Sequence, residues 1–426
     1  MFLPEWTESV IAKLKSCSLP AFSSLSEEEQ YAAPTFVEED CGEPIEAAPD
    51  DTGVIEVRNP RKDLEFQAFL DGVQRTILWR RIPLPSGVLV PIHIAHIGAG
   101  LLLRDKNGRL QMDPTLTATR LLLLGPFEGL RRSGLELKEL DNGEAIVWDT
   151  DERTFGFPAE MNEWILCDTT FRGTEHEREK QSAGALIGDT LFNEGLVRSR
   201  AQGRVATLRQ RLEFAVLARF RGKEPEKWVL VDGPLFFIDK WRRRAARLIG
   251  AELGEQNEGL LEDKLLRNAV GLIKSHRLRP KNPAQIMKMG PTQRSLVVPL
   301  SHEVDLKGRR ETPDEEGTYG GLHLTWYTRL RCCSRPPYGL LGLIRLDIHR
   351  ASLPGVVRGD ALNQECFQNY RPLIDAITWA TWRERWPAFR RVDDYRSATE
   401  PYPIWQVERI LKAMAFPRRF LAHLIR

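Results

Sequence analysis

A chain of 426 residues, 42% apolar and 28% charged, has room for two average domains or one elaborated one, and its composition excludes collagen, coiled coil and wholesale disorder. The net charge of +2 names no partner, so only the distribution of charge can. The most apolar stretches, 121–124 and 340–344, fall far short of the ~20 residues a membrane-spanning helix needs. The N-terminus shows neither the basic region nor the long apolar run of a signal peptide. None of the six cysteines is in C-x-x-C spacing, so no zinc site or disulfide framework is legible, and a reducing, cytoplasmic setting is expected.

In chain order, residues 1–17 carry Trp6, Val10, Ile11 and Leu14 at helical spacing. Residues 1–56 form an acidic N-terminal extension, with runs at 27–29 and 38–40 that repel themselves, and 20–55 is expected to be poorly ordered. The folded body is expected over 57–426. A strand at 64–70 is closed by Asp71-Gly72, and strands at 76–82 and 87–98 follow. Residues 104–200 look irregular, with strand-like pieces at 120–124 and 144–148. A helix is predicted at 204–221, a buried strand at 228–231 ending in Asp232-Gly233, and a basic helix at 239–253. Strands at 269–274, 294–300, 322–331 and 340–349 precede two helices at about 364–386 and 403–414. Hairpins first, then strands alternating with helices, indicate an α/β fold with a mixed sheet flanked by helices.

The near-zero net charge hides a basic centre. Lys264, Arg267, Lys274, Arg277, Arg279, Lys281, Lys288 and Arg294 occur with no acid between 264 and 294, and Lys240, Arg242, Arg243, Arg244 and Arg247 precede them. Such a distribution is the footprint of phosphate binding, and also that of a plain solvated face.

Several carboxylates stand where carboxylates seldom stand. Asp71 and Asp232 each end an apolar run and each precede glycine, which reads either as a functional strand end or as a common turn pair. Glu213 falls in the sector of Val216, Leu217 and Phe220 on its helix, and Glu408 shares a face with Ile404, Leu411 and Ala415. An acid on an apolar face costs several kcal/mol unless it is paired, binds metal or reaches water from the stripe edge. Four such acids from different strands and helices are the set that holds two hard cations ~4 Å apart in a two-metal phosphodiesterase.

These positions and their contexts resemble the NurA nuclease family. The matching segments are Phe69-Leu70-Asp71-Gly72, the helix glutamate in Arg209-Gln210-Arg211-Leu212-Glu213, Leu230-Val231-Asp232-Gly233-Pro234-Leu235, Gly271-Leu272-Ile273-Lys274-Ser275, Arg294-Ser295, Arg345-Leu346-Asp347 and Tyr402-Pro403 leading to Glu408. The resemblance covers about residues 64–415. It implies a ribonuclease H-like core, DNA cleavage with Mn2+ or Mg2+ held by Asp71, Glu213, Asp232 and Glu408, and a homodimer working with a HerA-type hexameric ATPase in DNA repair or antiviral defence. It also implies a catalytic role for Lys274 near the scissile phosphate, while the basic stretches themselves make Arg242, Arg243, Arg244, Arg277, Arg279 and Lys281 the expected DNA contacts. The chain departs from the family at Glu408, where His or Asp is common. It departs again in the long separation of Asp71 from Glu213, which assigns about 104–200 to an insertion.

His93 and His96 lie on opposite faces of a strand, so they are not a ligand pair. Trp228, Trp379, Trp382 and Trp386 are expected in the core or an interface, with base stacking open to one of them. Two function classes remain: an active metal-dependent nuclease, and a catalytically silent module of the same fold that binds DNA or an ATPase. Retention of carboxylates at all four positions favours the first.

Overall fold

The computed structural model describes residues 39–40, 44–46, 53–58, 60–83, 87, 89–132, 146–148, 164–170, 193–235, 258–274, 278–280, 282–300, 323–331, 339–356, 367–386 and 398–415. Among these, the strands in chain order are β1 (Glu39–Asp40), β2 (Val54–Glu56), β3 (Ala68–Pro83), β4 (Leu89–Arg104), β5 (Leu110–Gly125), β6 (Ile146–Trp148), β7 (Trp164–Asp168), β8 (Val229–Asp232), β9 (Ala269–Ile273), β10 (Leu278–Arg279), β11 (Gln293–Ser295), β12 (Val298–Leu300), β13 (His323–Arg329) and β14 (Leu343–His349). The helices are α1 (Phe127–Arg132), α2 (Glu194–Lys223), α3 (Glu258–Leu266), α4 (Pro283–Lys288), α5 (Arg371–Arg383) and α6 (Tyr402–Met414).

The main sheet runs β2-β11-β13-β14-β9-β8-β3-β4-β5-β7-β6, with β12 also on β13. It is mixed. The meander β3-β4-β5 is antiparallel, β8 lies parallel on the other side of β3, β9 is parallel to β8, and β14 returns antiparallel. The fold is therefore α/β, a large mixed sheet flanked by helices.

Helix α2 begins because the Asn193 side chain accepts the Leu196 N–H at 2.9 Å, with Glu194 in the first turn and Arg221 and Lys223 in the last. Its stripe of Val205, Leu208, Leu212, Val216 and Phe220 is fully buried against one face of β3, β4 and β5. Truncating Leu212 to Ala there would cost ~2–5 kcal/mol. The opposite face is covered by α5 and α6, whose Ile374, Ile377, Ile404, Val407 and Leu411 pack on Phe69, Leu230 and Leu272. Pro403 suits the first turn of α6, where its missing N–H leaves no partner wanting. The indole N–H groups of Trp326 and Trp382 donate to Thr378 and Thr328, each at 3.0 Å, which lets both rings be buried.

Five expectations change. Strand β3 does not end at Asp71-Gly72. It runs through them, with Asp71 opposite Gly100 and Gly72 opposite Ala99 on β4, and absorbs the expected strand at 76–82. In the 104–200 region the expected strand pieces at 120–124 and 144–148 fall in β5 and β6, but β5 already begins at Leu110, β7 joins the same sheet and α2 starts at Glu194, ahead of the expected 204, so the described parts are more regular than expected. The 294–300 strand is split into β11 and β12, because Val297 turns inward to bond Ile45 and the Glu46 carboxylate. Pieces of the acidic segment are thus built into the fold ahead of Val57. Glu46 accepts two bonds from Arg294 at 2.7 and 2.8 Å, β2 pairs with β11, and β1 pairs with β10. The expected helix at 1–17 and the basic helix at 239–253 lie outside the described residues.

Candidate active site

The site forms where β8 stops beside β3. Parallel pairing ends at Leu70 with Val231, so Asp71 and Asp232 are the next residues on two adjacent strands. Alternation puts Asp71 between Phe69 and Val73 on the α5/α6 face, and puts Asp232 on the same face as Leu230. Asp232-Gly233 does turn: Gly233 has φ of 111°, which a side-chain-bearing residue rarely adopts, and the chain leaves the sheet there. Gly72 has a different task. A Cβ at that position would overlap the Glu213 carboxyl, so glycine gives the α2 glutamate room to reach β3.

The carboxylates interact strongly. Asp71 is 3% exposed and accepts the Gly72 N–H at 2.6 Å. Burial holds its carboxyl well above the usual carboxylate range. The Asp232 charge acts the same way, Lys274 opposes it, and the Glu213 and Glu408 charges add to the rise. The carboxyl of Glu213 is pushed up to about 7, first by burial and also by Asp232, against the pull of Arg209. All four sequence-identified acids therefore lie within electrostatic reach of one centre, although they come from β3, α2, β8 and α6.

Each of three acids is met by a cation of the chain. Arg209, one turn before Glu213 on α2, pairs with it and also donates to the Gly72 carbonyl at 3.3 Å and to Gln74 at 3.2 Å. Lys412 pairs with Glu408 at 2.8 Å. Lys274, the residue following β9, lies 2.8 Å from Asp232 and 3.0 Å from Glu400. Glu400 was not among the residues singled out by sequence. It stands just before α6 in Glu400-Pro401-Tyr402-Pro403, and its only sequence signal is that place ahead of the helix that carries Glu408.

Other sequence candidates fall elsewhere. Asp347 is buried on β14 and bonded by Thr325 at 2.6 Å and by Arg345 at 3.1 Å, a pairing internal to the sheet. Arg294 is held by Glu46 and Asp375, the latter at 2.6 Å. His93 and His96 are buried on opposite faces of β4, and burial, with the Arg75 charge added, lowers the His96 imidazole to about 4. Trp382 is core and Trp386 is 62% exposed. Arg279 lies in β10, whereas Arg242, Arg243, Arg244, Arg277 and Lys281 lie outside the described residues.

Among the described residues, no three His, Cys, Asp or Glu groups are gathered tightly enough to form a ready coordination shell. The donor chemistry nonetheless suits a hard divalent cation: oxygen ligands only, with Asp71 and Glu213 buried, Asp232 and Glu408 partly exposed, and the charges partly neutralised by Arg209, Lys274 and Lys412. Among the described residues, no helix is long and apolar enough to cross a membrane. Compared with known proteins, the chain matches no family model and no curated sequence.

Proposed function

We propose that this protein is a metal-dependent DNA nuclease of the NurA type, hydrolysing phosphodiester bonds at the cluster of Asp71, Glu213, Asp232 and Glu408. One observation carries the reading: Asp71 and Asp232 stand side by side on adjacent strands, on the face covered by α6, the helix of Glu408, while the Glu213 carboxyl reaches Gly72, next to Asp71, from α2. Perturbed carboxyls concentrated in this way are what functional sites employ, and carboxylate oxygens are the ligands hard divalent cations prefer. The strand order β5-β4-β3-β8-β9, with β8 and β9 parallel to β3, supports a ribonuclease H-like core in which β3 and β8 present the two aspartates.

The roles follow from position. Asp71, Asp232, Glu213 and Glu408 would hold Mn2+ or Mg2+, and such an ion would supply Lewis-acid charge to the phosphodiester. Lys274 brings a buried ammonium to the same place, suited to a phosphate oxygen or to charge that develops on it. Arg209, 28% exposed at the side chain, stands at the rim, where a backbone phosphate could exchange for one of its present partners. Arg242, Arg243, Arg244, Arg277, Arg279 and Lys281 would supply sequence-independent DNA affinity, whereas Arg294 and Lys274 are committed to buried ion pairs. Work as a homodimer with a HerA-type ATPase, in repair or defence, belongs to the same proposal and rests on the resemblance.

The second reading, a catalytically silent DNA- or ATPase-binding module, is favoured by one feature: Arg209, Lys274 and Lys412 already neutralise the acids. Incubating the full chain with linear DNA and Mn2+ or Mg2+ separates the two. Cleavage that is lost with EDTA, and lost in Asp71→Asn and Asp232→Asn, supports the nuclease. DNA binding by the wild type without cleavage under either ion supports the silent module, and cleavage undiminished in both variants removes this site from the reaction.

A further inference from the structure

Lys274 is placed between two carboxylates that have different surroundings. Its side chain is 8% exposed, that of Asp232 is 24% exposed and that of Glu400 is 3% exposed. Asp232 belongs to the acid cluster. Glu400 lies 126 residues beyond Lys274 in the chain, in the short segment that enters α6. That segment is itself pinned, because Arg331 donates to the Glu400 carbonyl at 2.7 Å and Tyr402 N–H donates to the Glu384 carbonyl at 2.8 Å. Glu400 is therefore a fixed anchor and Lys274 the group with a choice of acceptor.

We propose that Glu400 is a positioning residue: by holding the Lys274 ammonium, it lets a divalent cation take Asp232. The inference rests on the nuclease reading above and concerns how the same site is loaded. In the metal-free arrangement the ammonium does for Asp232 what a metal would do, neutralising a partly buried carboxylate. A dication arriving at Asp232 must displace that ammonium. With Glu400 present, the displaced charge keeps a buried partner 3.0 Å away. Without Glu400 it would lose that buried carboxylate while standing beside a second positive charge, and metal binding would bear that cost. The two members of one ion pair therefore act in opposite directions: Lys274 competes with the metal, and Glu400 relieves the competition.

The test is calorimetric titration of the full chain with Mn2+, without DNA, so that it reads binding and not turnover. Glu400→Gln is expected to weaken Mn2+ binding ~10-fold and Lys274→Met to tighten it by a similar factor, each about one decade of affinity. Because Glu400 acts through Lys274, Glu400→Gln added to Lys274→Met should change affinity by less than about threefold. Glu400→Asp, which keeps the charge, should stay within about threefold of wild type and serves as the second variant if the glutamine protein does not fold. Equal weakening by Glu400→Gln with and without Lys274 would show that Glu400 acts by its own field and would overturn the inference, as would unchanged affinity in Glu400→Gln. Wild-type protein that binds no Mn2+ would overturn the nuclease reading as well, whereas wild-type binding with unresponsive variants overturns the role of Glu400 alone.

Discussion

Glu213 makes the metal-free protein less stable as pH rises, and the effect can be measured. Its carboxyl titrates near 4.5 in the unfolded chain and near about 7 in the folded one, because burial disfavours the charged form. Between those values the native state binds more protons than the unfolded state. Stability is therefore full below pH ~4.5 and is lost as pH rises through ~7, by about 3 kcal/mol for this group alone. Asp71 is shifted in the same direction and deepens the fall. Glu213→Gln keeps the size of the side chain and resembles its protonated form. Urea unfolding in EDTA between pH 4.5 and 8 should show the variant about equal to wild type at the acid end and more stable at the alkaline end, by ~1–3 kcal/mol. Saturating Mn2+ should return stability to the wild type at pH 8, about 2.7 kcal/mol at a concentration 100 times the dissociation constant, and return less to the variant. A difference between variant and wild type that does not change with pH would refute the idea that Glu213 is buried against its charge.

Three further outcomes are expected. Gly72→Ala should drive the new methyl into the Glu213 carboxyl, costing ~1–3 kcal/mol by thermal or urea unfolding and weakening Mn2+ binding together with it. Arg294→Met should leave Glu46 and Asp375 buried without their shared guanidinium, lowering stability by ~3–5 kcal/mol, read from the unfolding midpoint. Removing residues 1–55 takes away Ile45, Glu46 and most of β2 and should lower that midpoint by ~10 °C or more.

The parts of this molecule that could be read from the sequence are those set by local period. The apolar repeat of Val205, Leu208, Leu212 and Val216 fixed α2 to one face, and so exposed Glu213 as misplaced before any neighbour was known. The runs 229–231 and 269–273 were legible as strands because both faces of each are covered. Only the second half of β5 was legible, as the apolar piece at 120–124: Asp113, Pro114 and Thr115 lie where the strand is mostly exposed, so its first half carries little apolar signal. Glu46 and Glu400 were illegible for a deeper reason. Nothing within ten residues of either shows that a cation waits there, since Arg294 and Lys274 arrive from 248 and 126 residues away. An acidic run reads as solvated until tertiary structure supplies its partner, and Glu46 is such a case. The two Asp-Gly pairs carry the same lesson in reverse. Their local chemistry is identical, yet Gly233 serves a left-handed backbone while Gly72 serves a carboxylate from another element. Turn propensity therefore could not separate them, whereas the apolar run before each aspartate singled out two residues that the sheet sets side by side, for a reason that is packing.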